Sequence, residues 1–329
     1  MQSSLVEIFW RSASPQIKKY EIKDPTIVPM PDGTFTMYAS VFGPDIKRGE
    51  NIGRFRADHP KGPWTQIENP RLHGFEDNGE ACAPQVLLRI KNGQPEWTMF
   101  VQTSFSQADG VIIEAVSANG IDFYPLAIPS MTKNAVQVQP VVGVYDVSVA
   151  DIHYQGQDQE CMVFSGYRKV GCGDLYASLR VKGGLKGNWS APVMTQEQEA
   201  LPFHNKPGGI NFEWGVEGGK IHQLGENSFL QIGVCFLEKD VKFAGTRQRV
   251  FFSLGKTPFG PFESHSLPLE PIAYDAGKGE NGHPDIIDIG GKLALVYQER
   301  AGAQHPWHLR YAEISRDDLN ELFARPAPP

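Results

Sequence analysis

Short apolar runs rich in Val, Ile, Phe and Tyr recur along the whole chain, separated by Gly, Asn and Asp, which is the pattern of many short β-strands joined by turns. The runs are ordered on a longer scale. An acidic or polar residue opens a short apolar strand, a Gly-containing turn follows, and a second apolar or aromatic strand closes the unit. The five copies are DPTIVPMPDGTFTMYAS from Asp24, APQVLLRIKNGQPEWTMFVQTS from Ala83, DIHYQGQDQECMVFSGY from Asp151, EGGKIHQLGENSFLQIGV from Glu217 and HPDIIDIGGKLALVYQER from His283. Their starts lie 59, 68, 66 and 66 residues apart. A further strand follows in each unit, in GRFRADHPKGPW, IIEAVSANGIDF, LYASLRVKGGLKGNW, VFFSLGKTPFGPF and LRYAEISRDDL.

One hairpin plus two more strands makes a four-stranded antiparallel blade, and the spacing therefore predicts an all-β, five-bladed β-propeller around a central channel. Closure into a ring also leaves few strand edges open, which the competing β-sandwich would not achieve. The predicted blades start near residues 24, 83, 151, 217 and 283 and use nearly the whole chain, so residues 1–329 are read as one domain. One helix is expected near the carboxyl end, where Ser315 stands as N-cap before the acidic first turn of Asp317 and Asp318, followed by a loose tail.

Composition narrows the classes. The 34 Gly and 25 Pro among 329 residues interrupt helices and exclude a helix bundle, whereas 40% hydrophobic residues suffice for a core. A net charge of −7 without a basic cluster excludes nucleic acid as a partner, and no apolar run reaches the ~18 residues of a membrane span. The start of the chain lacks a basic segment followed by an apolar one, and the four cysteines form no CxxC pair, so a cytoplasmic, reduced setting is expected without a zinc site or disulfide scaffold. Oligomeric state is not legible.

The first strand of each propeller blade lines the channel, so the five openings should meet at one mouth. They present Asp24, Gln85, Asp151, Glu217 and His283. Singly, such residues are ordinary turn formers; in a shared register, three crowded carboxylates raise at least one pKa and supply a protonated acid beside an ionised base. Glycoside hydrolysis needs that pair.

The pattern resembles glycoside hydrolase family 43 and its five-bladed relatives in families 32, 62, 117 and 130. The resemblance implies that Asp24, in KDPTIV, is the general base, that Asp151 tunes and orients the acid, and that Glu217 is the general acid. It further implies that His283, after Gly282, sits on the axis and holds water or a calcium ion, with no other cofactor required. Departures occur where Ile152 and Gly219 replace the family's Pro, where Cys82 and Gln85 replace its Trp and Asp, and where Asp146 competes with Asp151 for the third-blade position. The substrate-binding set comprises Gln85, Glu80, His283, Arg300, Trp214, Phe75 and His153; Phe203 is a further aromatic, and Glu213 and Glu280 are reserve acids. The expected activity is an exo-acting, inverting glycosidase on an oligosaccharide or glycoside. The alternatives are a carbohydrate-binding propeller without turnover and a propeller using its acids for isomerisation or cyclisation of a small molecule.

Overall fold

The computed structural model describes residues 3–9, 20–43, 46, 51–74, 81–103, 109–169, 172–197, 201, 215–240, 245–269, 279–302 and 305–324. Five sheets stand around one axis, as the spacing predicts. After β1 (Ser3–Leu5) and β2 (Ile8–Phe9), blade one holds β3 (Glu21–Pro29), β4 (Phe35–Phe42), β5 (Ile52–Ala57) and β6 (Trp64–Gln66). A short β7 (Arg71–Leu72) precedes blade two, which holds β8 (Ala81–Lys91), β9 (Gln94–Thr103), β10 (Val111–Ser117) and β11 (Asp122–Pro125). Blade three is β12 (Gly143–Tyr154), β13 (Gln157–Lys169), β14 (Cys172–Val181) and β15 (Val193–Gln196). Blade four is β16 (Val216–Gly225), β17 (Ser228–Asp240), β18 (Gly245–Gly255) and β19 (Phe262–Ser266). Blade five is β20 (Glu280–Ile289), β21 (Lys292–Arg300) and β22 (His308–Ile314), with α1 (Arg316–Ala324) after it.

Blade five takes its fourth strand from the other end of the chain: β1 pairs antiparallel with β22, Ser3 opposite Ala312 and Leu5 opposite Arg310. The chain then crosses to blade one, where β2 lies parallel to β6 and Glu7 O accepts from Trp64 N at 2.8 Å. Residues 3–9 thus tie the last blade to the first and cover both edges. The blades are not uniformly four-stranded, because β2 and β7 add a parallel fifth strand to blades one and two.

The second strand of each hairpin is sandwiched between neighbouring blades, so both of its faces are apolar. In β4, Thr36 to Val41 are all buried. Between blades five and one, Ile27, Met37, Phe55 and Trp64 meet Val296, Leu309 and Tyr311; between blades two and three, Phe100 and Ile112 meet Val147, Phe164 and Tyr176. The GPW and GPF pieces, read as turn and blade packing, do this: Trp64 and Phe262 open the outer strands and are buried. The expected N-cap also forms, with Ser315 Oγ accepting from Asp318 N at 3.0 Å while Asp318 Oδ2 accepts from Ser315 N at 2.8 Å. Leu319 anchors this helix in the core between blades four and five. No described helix is long and apolar enough to cross a membrane.

Candidate active site at one mouth of the channel

Every inner strand breaks register at an equivalent point: between Lys23 and Thr26, Cys82 and Gln85, Tyr145 and Ser148, Glu217 and Lys220, and Gly282 and Asp285; β16 breaks a second time between Gln223 and Gly225. At each break the first extra residue is left-handed: Asp24 (φ 50°), Ala83 (50°), Asp146 (50°), Gly218 (62°) and His283 (43°). Four of the five carry a Cβ there, a strained arrangement costing ~1–3 kcal/mol per residue that persists only where the surroundings enforce it. Polar side chains from the preceding blade enforce it. Gln298 accepts from Asp24 N (3.0 Å), Ser40 from Ala83 N (2.8 Å), Gln102 from Asp146 N (2.8 Å) and Ser165 from Gly218 N (3.0 Å). The bulges turn successive side chains onto the axis as stacked rungs.

The upper rungs bring Asp24, Asp146, Glu217 and His283 together. The His283 ring is the hub, with Nδ1 3.5 Å from Asp24 and 3.9 Å from Asp146, and Nε2 3.1 Å from Glu217 Oε1. The other Glu217 oxygen accepts from Tyr167 Oη at 2.7 Å, and the Tyr167 ring stacks on Tyr145. All four side chains of the cluster are nearly buried, between 9% and 13% exposed. Burial, reinforced by the charges of Glu217 and Asp24 and opposed by His283, pushes the Asp146 carboxyl up to about 8. Burial works to remove the proton of His283, but the charge of Asp146, the bond to Glu217 and the charge of Asp24 outweigh it and raise the imidazole to about 9. Near neutral pH the cluster therefore holds protons on Asp146 and on the ring. Burial and the same carboxylates also raise Tyr167, so its phenol stays a donor.

Above the cluster opens a pocket of about 460 Å³, lined also by Lys23, Phe42, Gln102, Gln248, Arg300 and Trp307. The Arg300 guanidinium lies 4.3 Å from the Trp307 ring centre and bonds through Nε to Glu280 at 2.5 Å. Below the cluster, Lys220 Nζ spans the channel, 2.9 Å from Asp285 Oδ1 and 3.0 Å from Gln85 Oε1.

Asp24, Glu217, His283 and Arg300 thus share one mouth, as expected from the sequence. Asp151 does not. It lies five residues beyond Asp146 on β12, about 16 Å at the rise of an extended strand, and lines the opposite mouth. There Arg89 (2.6 Å) and Lys182 (2.7 Å) hold its carboxylate; burial opposes ionisation, but their hydrogen bonds prevail and its pKa falls. The third acid at the mouth that Asp24 and Glu217 share is Asp146. Gln85 is a second correction: buried below the pocket, its amide donates to Thr26 and its oxygen receives Lys220, so it braces the channel. His153 is a third, at the exposed end of the β12–β13 hairpin with Asp158 at 2.8 Å. Glu280 is buried behind Arg300 and does not line the pocket. Glu80, Phe75, Trp214, Phe203 and Glu213 lie outside the described residues.

The donors of Asp146, Glu217 and His283 lie within 4.8 Å of one another. The set fits calcium poorly, since calcium seeks six to eight oxygens and the central group here is an imidazole with both nitrogens engaged by carboxylates.

The chain matches no protein-family model and no curated protein. Solved structures do match. The endo-arabinase from Bacteroides thetaiotaomicron is 15% identical with a TM-score of 0.64, over 94% of this chain and 97% of that one. A GH62 hydrolase solved with xylotriose is 12% identical with a TM-score of 0.61, over 94% and 97%. A Cellvibrio cellulosa α-L-arabinanase complexed with arabinohexaose is 10% identical with a TM-score of 0.58, over 94% and 100%. At these identities the likeness is one of fold: the five-bladed propeller of family-43 and GH62 hydrolases.

Proposed function

We propose that the protein is a glycoside hydrolase acting at the Asp24–Asp146–Glu217–His283 mouth. The observation that carries this reading is the convergence of three carboxylates from three blades on one buried imidazole, in a fold shared with enzymes that cleave arabinan. Asp24 is the general base that activates water. Glu217 gives the leaving oxygen a proton drawn from the shared store of the cluster, to which Asp146 contributes, and Asp146 replaces Asp151 as the tuning acid. With Asp24 on one nitrogen of His283 and Glu217 on the other, the ring separates the two carboxyls. That separation favours the wide spacing of about 6.5–9.5 Å used for inversion over the ~5–5.5 Å of retention. The pocket, closed beneath by the His283 and Lys220 rungs, suits removal of a terminal sugar. The scheme uses no metal.

A panel of aryl glycosides tests the roles. Glu217→Gln should lose most activity on a poor leaving group such as methoxyphenol and keep much of it on dinitrophenol, which departs without protonation. Asp24→Asn should lose both. Equal loss across leaving groups in Glu217→Gln would remove that residue as the acid, and absence of turnover with retained sugar binding would leave a carbohydrate-binding propeller.

A further inference from the structure

The rung just above the left-handed residues comprises Lys23, Cys82, Tyr145, Glu217 and Gly282, and the side chains of the first four line the pocket. Lys23 therefore holds in blade one the place that Glu217 holds in blade four. Its ammonium lies 4.8 Å from the centre of the Phe42 ring, and among the described residues no carboxylate comes within ion-pair distance of it. The other cations near the axis are neutralised, Arg300 by buried Glu280 and Lys220 by Asp285. The acids sharing the pocket with Lys23 are Glu21, Asp24, Asp146 and Glu217; Asp24 and Glu217 flank His283, Asp146 holds a proton near neutral pH, and Glu21 stands two residues earlier on the same strand. The charge of Lys23 reaches Asp146 across the pocket without an ion-pair contact, and a cation half withdrawn from water in that state gains from an anionic ligand placed directly on it. A second observation describes the rest of that ligand. The side-chain oxygen of Gln248, a residue that also lines the pocket, is buried and accepts no hydrogen bond among the described residues, so a ligand hydroxyl brought against it would satisfy it.

We infer that the pocket takes a sugar bearing a carboxylate, a uronic acid, with Lys23 Nζ on the carboxylate and Gln248 on a ring hydroxyl. A carboxylate fits better than a phosphate, because one ammonium matches a single negative charge whereas phosphates are commonly held by several donors at once. The inference rests on the reading of this mouth as a sugar site. Its deciding comparison, acid against ester, reads binding, so it fails or stands separately from hydrolysis.

Isothermal titration at pH 7 would compare glucuronate, galacturonate, mannuronate and iduronate with their uncharged methyl esters, using the full chain. At least one uronate should bind tenfold or more tightly than its ester, and added salt should weaken that preference. Lys23→Met, which keeps the stem on Phe42, should bring acid and ester to within about threefold. Equal affinity of acid and ester for all four sugars would overturn the inference, and needs no variant. So would a sugar 6-phosphate that binds more tightly than every uronate, or a Lys23→Met protein that keeps the preference and changes only its pH–rate profile, since Lys23 would then serve only as counter-charge to the acids.

Discussion

Two aspartates on one strand, Asp146 and Asp151, give the sharpest division between the active mouth and the far one. Asp146→Asn preserves the shape of the protonated carboxyl but cannot exchange a proton. At a pKa of about 8 the native side chain carries its proton in most molecules at pH 7, against fewer than about one in a thousand at its ordinary value of 3.8. A positioned acid or base is commonly worth about 10²–10⁴ in rate, so kcat/KM of Asp146→Asn should fall by that range. The pH profile carries a second signature. In the native protein the descending limb should lie near 8, where the cluster begins to lose its protons. Asp146 is the largest charge supporting the His283 proton, so its removal lowers the imidazole from about 9 and moves the limb to lower pH. Asp151→Asn touches only a partly exposed pair of cations, worth ~0–1 kcal/mol of stability, and its kcat/KM should stay within about threefold of the native value. Steady-state kinetics from pH 5 to 10 on both variants decide the matter. If Asp151→Asn abolishes turnover while Asp146→Asn keeps activity and limb unchanged, the placement of the third acid is refuted.

Tyr167→Phe removes the donor on Glu217 while keeping the ring stack on Tyr145; kcat should fall about 10- to 100-fold with KM little changed, as for a lost bond to a charged group. Lys220→Met leaves Asp285 without its ammonium in the channel and should cost about 3–5 kcal/mol in denaturant unfolding, partly recovered by adding Asp285→Leu; an unchanged midpoint would contradict the role of this pair as a brace. Prolonged EDTA treatment should leave turnover unaltered, and a loss restored by calcium would overturn the argument from the donor set.

The blades were legible because each hairpin pairs two apolar runs across turn residues, and β3–β4 and β20–β21 coincide with their expected units. The closing strand was not: β1 has three residues and β2 has two, too few to show any period, and the partner of β1 lies about 300 residues away. The bulges misled the register. An extra residue breaks the alternation of inner and outer positions, so the acids could not be aligned by counting back from the apolar strand, and Asp151 took the place that Asp146 holds. A usable signal was present. In blades one, two and five the left-handed residue precedes Pro25, Pro84 and Pro284, and the same reading places Val147 and Gly219 second in the remaining bulges. Lys220 and Tyr167 carried no such mark, because their roles depend on Asp285 and Glu217 brought in by other strands.

The configuration of the sugar released in the first turnovers tests the account most directly. Proton NMR of the anomeric signal, recorded before mutarotation, should show the opposite anomer to that of the substrate, because water activated by Asp24 attacks from the face opposite the leaving group. A first product of retained configuration would make Asp24 a nucleophile and contradict its assignment as base.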